Sequence, residues 1–384
     1  MPTPPSILYL TPGCFDKGGI SRYNRYQIEA FRDLVGAANV HVFSLLGPAN
    51  DSFEEPFQTR FFAGGARTAD KLRFLAHVSK AAVFERHGLV VAAHVNLSAP
   101  ARVLARALRM RSVLNIYGSE VWSGFRVDNQ WGFAGMDHVI ADCHFTARYV
   151  ETRGHRPQGS TAVVWDCVDL AKFHPGPPSK AVLSKYGIPD PATGKNLLTL
   201  GRMSPDAAHK GYERLLDVFQ RVAARDPSIR LVYAGRGDMV ERLRSRAASL
   251  GLGDRVFFTG MVHEADMADV YRSAHIFSLV SDRGVGRGEG IPLTPLEAAA
   301  CGVPILVGNQ DGSVEAVVDD SNGFVLDPFD LDAHAGKVEL LASNESLRSA
   351  MAGSAAAVAR REFCYERFRE KHRALLREWF PINS

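Results

Sequence analysis

The chain alternates short apolar runs with longer amphipathic stretches, and it does so in two successive series. In the first, SILYLTPG, VHVFSLLG, LVVAAHVNL, SVLNIYG, HVIADC and TAVVWDCV read as buried strands, with SRYNRYQIEAFRDLV and APARVLARALRMR as helices among them. In the second, NLLTLGRM, IRLVYAGRG, RVFFTGMV, HIFSLVSD, PILVGN and GFVLDP read as strands. GYERLLDVFQRVAAR, MVERLRSRAASLG and HEADMADVYRSA read as the helices between them. A strand that is apolar throughout is buried on both faces, and its crossover to a parallel neighbour needs a helix. The pattern predicts an α/β chain of two Rossmann-like, doubly wound domains. Open α/β sheets take ligands at the carboxyl ends of their strands, so two of them predict a cleft lined by strand-to-helix loops.

The 384 residues are enough for two cores of ordinary size. The segment FHPGPPSKAVLSKYGIPDPATGKN, residues 173–196, is dense in proline, glycine and small polar residues and punctuates the change of series. The expected division is an N-terminal acceptor-side domain over 1–175 and a C-terminal ligand-binding domain over 176–358. The amphipathic segment FCYERFREKHRALLREWF lies in a tail, 359–384, expected to pack back on the N-terminal domain. A net charge of +3 gives no support to nucleic-acid binding. Five scattered cysteines without ligand spacing point to reduced thiols and a cytoplasmic setting. The start, MPTPPSILYLTPG, does not read as a signal peptide, and no apolar run is long enough for a membrane span.

Three stretches carry chemistry. The first is GEGIPLTPLE, where Glu289 and Glu297 sit eight positions apart in an apolar run. Pro292 and Pro295 suit the first turn of a helix, so a loop over 288–293 should lead into a helix near Thr294 or Pro295. Free N–H groups at that helix start attract anions. Two carboxylates beside an anion site suit a ligand with hydroxyls, as in a sugar or ribose. Alternatively, Glu297 complements the helix dipole and Glu289 is solvated. The second stretch is LLTLGRMSPDAAHKGYERLL, with Arg202 and Lys210 on a loop after a strand. Such cations suit a diphosphate, or they are ordinary surface residues. The third is TPGCFDKGGISRYN, where Gly18 and Gly19 let backbone approach a ligand, or simply make a tight turn. It is not the GxGxxG dinucleotide fingerprint.

Together with YGSEVWSG, VIADCHFTARYV, VDLAKFHPG, YAGRG, VFFTGMV, EGIPLTPLEAAACGVPILVG and NGFVLDP, these stretches resemble the retaining, GT-B-fold glycosyltransferases of family 4 (glycosyl transferases group 1). The resemblance implies a nucleotide-sugar donor whose diphosphate is neutralised by Arg202 and Lys210. It implies that Glu297 binds the ribose hydroxyls and that Glu289 binds the donor sugar, beside the backbone of Gly290, Ile291, Pro292 and Leu293. Gly18 and Gly19 would lie against the phosphates, and residues 259–262, ending at Val262, beside the base. Retention in such enzymes is explained by front-face attack assisted by the leaving phosphate, so no protein nucleophile is implied.

Some positions depart from the family pattern. Tyr117 stands where many relatives have a sugar-contacting histidine, and its hydroxyl can still donate to a sugar oxygen. Glu120 is a catalytic candidate on the acceptor side, or a structural acceptor for its own loop. His94 follows a strand and either faces the cleft or is a satisfied core residue. Asp166 and Cys167 replace the usual Asn-Gly before Val168-Asp169. No metal site stands out, and Asp319-Asp320 reads as a turn. The resemblance also implies metal independence and no further cofactor. The acceptor would be a glycan or a lipid-linked glycan. The arginines of ARVLARALRMRS, residues 101–112, would give peripheral contact with anionic lipid at the inner face of the membrane, or form a solvated helix face. The competing functions are a nucleotide-sugar epimerase of the same architecture and a non-catalytic nucleotide-binding module.

Overall fold

The computed structural model describes residues 5–15, 18–47, 59–284, 286–318 and 320–381. The chain divides into two compact units, Met1–Cys167 with Tyr365–Ser384, and Val168–Cys364. In the first, β1 (Ile7–Thr11), β2 (Val40–Ser44), β3 (Phe61–Phe62), β4 (Leu89–Ala92), β5 (Arg111–Ile116), β6 (His138–Ala141) and β7 (Thr161–Val163) form one sheet. Its order is β3-β2-β1-β4-β5-β6-β7 and every pairing is parallel. Side chains of a strand alternate between faces. Leu8 and Leu10 accordingly enter one apolar cluster with Val90 and Leu114, while Ile7 and Tyr9 enter another with Val91 and Val113. Both faces of the sheet are core, which is why its strands read as unbroken apolar runs.

The second unit holds β8 (Lys195–Leu200), β9 (Ile229–Ala234), β10 (Val256–Phe258), β11 (Ile276–Leu279), β12 (Ile305–Gly308) and β13 (Gly323–Leu326). They form a parallel sheet in the order β10-β9-β8-β11-β12-β13. Its core packs the helix Tyr212–Ala223, through Leu215, Leu216, Phe219 and Val222, with Leu231 and Tyr233 of β9.

Against an expected division at 175/176 and 358/359, the units change over at 167/168 and 364/365. The reason is local pairing. Val168 and Cys364 form a parallel bridge, and the Val168 N–H donates to Phe363 O at 2.8 Å. Lys172 pairs with Glu264, and Arg272 Nε donates to His174 O at 2.9 Å. These contacts hold 168–175 to the second unit. The helix Tyr365–Trp379 belongs to the first unit, where Phe368, His372 and Leu376, four residues apart, make its buried stripe. It packs on the helix Gly19–Val35, with Tyr23 and Phe368 rings 5.2 Å apart and Gln27 Nε2 2.9 Å from His372 Nε2.

Candidate functional site

Strand order, rather than strand identity, positions the site. In the second unit β8 and β11 are neighbours, and the chain leaves them towards opposite edges of the sheet. Their carboxyl ends therefore form the switch point where open α/β sheets bind ligands. The loop after β8 carries Arg202 and Lys210, and the loop after β11 carries Glu289. The two loops meet at Gly211, which has φ 76° and precedes the helix Tyr212–Ala223. A Cβ there would lie 2.8 Å from Val280 O, so only glycine permits the approach. The Asp282 N–H donates to His209 O at 2.8 Å, and Arg214 Nη1 pairs with Asp282 Oδ2 at 2.6 Å.

Glu289 is the centre of this meeting. Its Oε1 lies 2.8 Å from Lys210 Nζ and 2.6 Å from His209 Nε2. All three side chains are largely buried. Burial pushes the Glu289 carboxyl up, but Lys210 and His209 outweigh it and hold it down at about 2. The group is thus an ionised, acceptor-only carboxylate at neutral pH. Its backbone is braced as well: the Glu289 N–H donates to Asp311 Oδ2 at 2.9 Å, and the Gly312 N–H to Glu289 O at 2.9 Å. Asp311 is fully buried and also accepts from Ser281 Oγ at 2.8 Å and Ser313 N at 3.0 Å. Burial pushes its carboxyl up, against those donors.

The other expected donor-side residues make contacts of their own. The helix after Glu289 runs Leu293–Ala300, beginning one residue earlier than Thr294, and no side chain caps its first turn. Gly290 and Leu293 are partly buried, and Ile291 and Pro292 are buried. Glu297 is 1% exposed and its Oε2 accepts the Tyr271 hydroxyl at 2.6 Å. It is neither solvated nor at the helix's first turn. Arg202 is exposed and pairs with Asp206 Oδ2 at 2.6 Å, four residues on, rather than with Glu289. Val262 is partly buried, two residues beyond Gly260, whose carbonyl accepts the Gly235 N–H at 3.0 Å.

The sequence reading passed over three residues here: His209, Asp311 and Tyr212. The Tyr212 hydroxyl is buried and finds no hydrogen-bond partner among the described residues. A Cβ on Gly201 would sit 2.5 Å from that hydroxyl and 3.7 Å from Lys210 Cδ. An unpartnered buried hydroxyl beside a lysine stem is a ready contact for a ligand oxygen. Only the adjacency of His209 and Tyr212 to Lys210 and Gly211 was visible beforehand.

The first unit has its own switch point, between β1 and β4. Gly18 and Gly19 stand after β1, at the start of the helix Gly19–Val35, with Gly18 at φ 151°. A Cβ on Gly18 would meet nothing within 4 Å. The remaining candidates there are satisfied by their own unit. Tyr117 is buried, and its hydroxyl donates to Asn24 Oδ1 at 2.7 Å and receives Asn115 Nδ2 at 3.3 Å. The Tyr117 hydroxyl, able in principle to donate to a sugar oxygen, is engaged here by side chains of its own unit. Glu120 accepts the Tyr117 N–H, and burial raises its carboxyl against backbone donors at 117, 118 and 120. That is its loop-structural alternative. His94 caps a short turn, accepting the Asn96 N–H on Nδ1 at 3.2 Å, and burial lowers its imidazole to about 4. Of the arginines over 101–112, Arg102 lies 4.1 Å from the Trp131 ring centroid and Arg111 5.5 Å from that of Phe380. Asp319 lies outside the described residues, and Asp320 has φ 51°. Among the described residues, no helix is long and apolar enough to cross a membrane.

Residues 188–358 match the family model "Glycosyl transferases group 1". The chain is 30% identical over 236 residues to a GDP-mannose-dependent alpha-(1-6)-phosphatidylinositol monomannoside mannosyltransferase of Mycolicibacterium smegmatis, covering 59% of this chain and 60% of that protein. It is 37% identical over 145 residues to a mannosylfructose-phosphate synthase of Agrobacterium fabrum, 36% of this chain and 30% of that one. The chain thus spans less than two thirds of the length of either relative. In three dimensions it resembles HepE of Anabaena, solved in complex with UDP, with a TM-score of 0.77 at 19% identity over 97% of this chain and 99% of that one. That likeness shows the fold, two parallel-sheet Rossmann-like domains of the GT-B class.

Proposed function

We propose, from the match of residues 188–358 to the glycosyl transferases group 1 model, that the protein moves a sugar from a nucleotide-diphosphate donor to a hydroxyl of a glycan or lipid-linked acceptor. The observation that carries the reading is the Lys210–Glu289–His209 cluster at the β8/β11 switch point. In this reading the donor diphosphate competes with Glu289 for the Lys210 ammonium. The released carboxylate, ionised at neutral pH, then accepts sugar hydroxyls. Lys210 stabilises the charge that grows on the leaving diphosphate, where a preorganised cation is most effective. Arg202, on the same loop and exposed, turns from Asp206 to the phosphates. The uncapped N–H groups at the start of Leu293–Ala300 face the same anion. Glu297, oriented by Tyr271, meets the ribose. The chemistry is retaining and metal-independent, because the leaving phosphate itself assists deprotonation of the acceptor.

Transfer assays with UDP-, GDP- and ADP-sugars, each with and without lipid-linked glycan acceptors, test the proposal. The GDP-mannose-dependent relative puts GDP-sugars first in the panel. Acceptor-dependent product with the donor's anomeric configuration by NMR supports it. Donor isomerised without acceptor replaces it with the epimerase reading, and binding without turnover of any donor with the non-catalytic one.

A further inference from the structure

His41, Glu85 and His87 converge in the first unit, at the opposite ends of its strands from Gly18 and His94. His41 is the second residue of β2, His87 lies two residues ahead of β4, and Glu85 ends the helix Thr68–Phe84. His41 Nδ1 is 2.8 Å from His87 Nε2 and 2.9 Å from Glu85 Oε2, and the three ligand atoms lie within 4.8 Å of one another. Both imidazoles are buried, while Glu85 keeps 37% of its side chain exposed. The trio is the one group of three metal-capable side chains found among the described residues.

The His41 ring can be bonded in two ways. His41 Nε2 lies 3.0 Å from Ala38 O, an acceptor, and 3.1 Å from Arg60 Nη2, a donor. If Nε2 carries the proton for Ala38, a neutral ring presents a bare lone pair at Nδ1, only 2.9 Å from the Glu85 carboxylate oxygen. If Nδ1 carries it for Glu85, the Nε2 lone pair accepts from Arg60 Nη2 at 3.1 Å. His87 adds a buried Nδ1 without a partner. A cation among His41 Nδ1, His87 Nε2 and Glu85 Oε2 satisfies the bare Nδ1 of the first tautomer. The two lone pairs and the carboxylate then point at positive charge, and His41 Nε2–H donates to Ala38 O. A backbone carbonyl is the usual orienting partner of a metal-bound histidine. Arg60 Nη1 bridges both carboxylate oxygens, 2.7 Å from Glu85 Oε1 and 2.6 Å from Oε2, so an ion at Oε2 shares that oxygen with the guanidinium.

We propose that His41, Glu85 and His87 form a binding site for a zinc-class divalent ion, with solvent completing the coordination on the Glu85 side. Two imidazoles and one carboxylate are a ligand set suited to zinc. Because the site joins β2, the approach to β4 and the end of a helix, away from the strands' carboxyl ends, the ion is structural. Its ligands are 44 and 2 residues apart (41 to 85, 85 to 87), which is no ligand-spacing motif.

The test uses full-length, tag-free protein stripped by chelator and titrated with Co2+ and Zn2+. The expected result is one saturable Co2+ equivalent with visible d–d absorption, displaced by Zn2+. Zn2+ should also raise Tm by roughly 2–4 °C, as a ligand of the folded state does. His87→Ala and Glu85→Gln should each weaken Co2+ binding by on the order of 10–100-fold or more. Circular dichroism checks their folding, and Glu85→Gln, at the more exposed ligand, decides if His87→Ala does not fold. No saturable Co2+ spectrum, or binding unchanged in a folded variant, overturns the site.

Discussion

The two units share one architecture and finish their switch points differently. In the second, ionised side chains meet: Lys210 and His209 converge on Glu289, with Arg202 exposed near by. In the first, the equivalent region joins a network of neutral donors and acceptors to the carboxyls of Glu120, Asp142 and Asp166, the last two of them buried. Tyr9 donates to Asn24 at 3.1 Å and to Gln27 at 2.7 Å, Tyr117 donates to Asn24 at 2.7 Å, and Gln27 donates to Asn115 at 3.3 Å. Neutral groups that satisfy one another fix a core at little desolvation cost. Buried charges are expensive, and a compact set of them is most readily explained by a charged ligand. Under the proposed function, donor chemistry belongs to the second unit.

Four substitutions break or sharpen that contrast. Lys210→Ala should have the largest effect, lowering turnover by on the order of 10²–10³ with a smaller change in donor binding, read from steady-state kinetics and calorimetry. Wild-type turnover in this variant would remove Lys210 from the diphosphate. Glu289→Gln should alter acid stability. The folded carboxyl sits at about 2 against an ordinary 4.5, so its contribution is complete above pH 4.5 and is lost as pH falls towards 2. That contribution is on the order of 3 kcal/mol. Denaturant midpoints at pH 7 and pH 3 should therefore differ less in the variant than in the wild type. Arg202→Ala should reduce turnover less than Lys210→Ala, because Arg202 is exposed and paired only within its loop; an equal loss would mean that it is recruited as fully. Tyr117→Phe should cost about 1–3 kcal/mol of stability, for the loss of the hydroxyl's bonds to Asn24, Asn115 and Ala93, and leave turnover unchanged. A large kinetic loss in a stable Tyr117→Phe protein would restore Tyr117 to the sugar.

How much of this was legible beforehand follows from what burial does to a sequence. Buried strands announce themselves as apolar runs, so every strand from β1 to β13 except β3 was readable. β3 is two residues, Phe61–Phe62, too short to make a run. Sheet order was hidden, because nothing local in VVA of β4 says that it pairs with β1 rather than β3. The Glu289/Lys210 pairing was partly legible: each stood after its own strand, but their contact depends on β8 and β11 being adjacent. Asp311 and His209 were invisible as single polar letters, since their meaning comes from the Glu289 N–H and carboxylate they touch. Glu297 was read as facing a ligand, and the residue that holds it, Tyr271, is 26 positions upstream.

The return of Tyr365–Trp379 to the first unit has a consequence for how the protein comes into being. Phe368, Leu376 and Trp379 complete a core begun by Ile7 and Tyr9, with the whole of the second unit intervening along the chain. On the ribosome, the unit translated first must therefore wait half-built while its neighbour folds, a reversal of the usual N-terminal-first sequence. Until the helix Tyr365–Trp379 has emerged, Tyr23, Tyr26 and Phe31 of Gly19–Val35 lack the rings of Phe368 and His372 that pack on them, which makes this the stage at which a nascent chain would most need a chaperone.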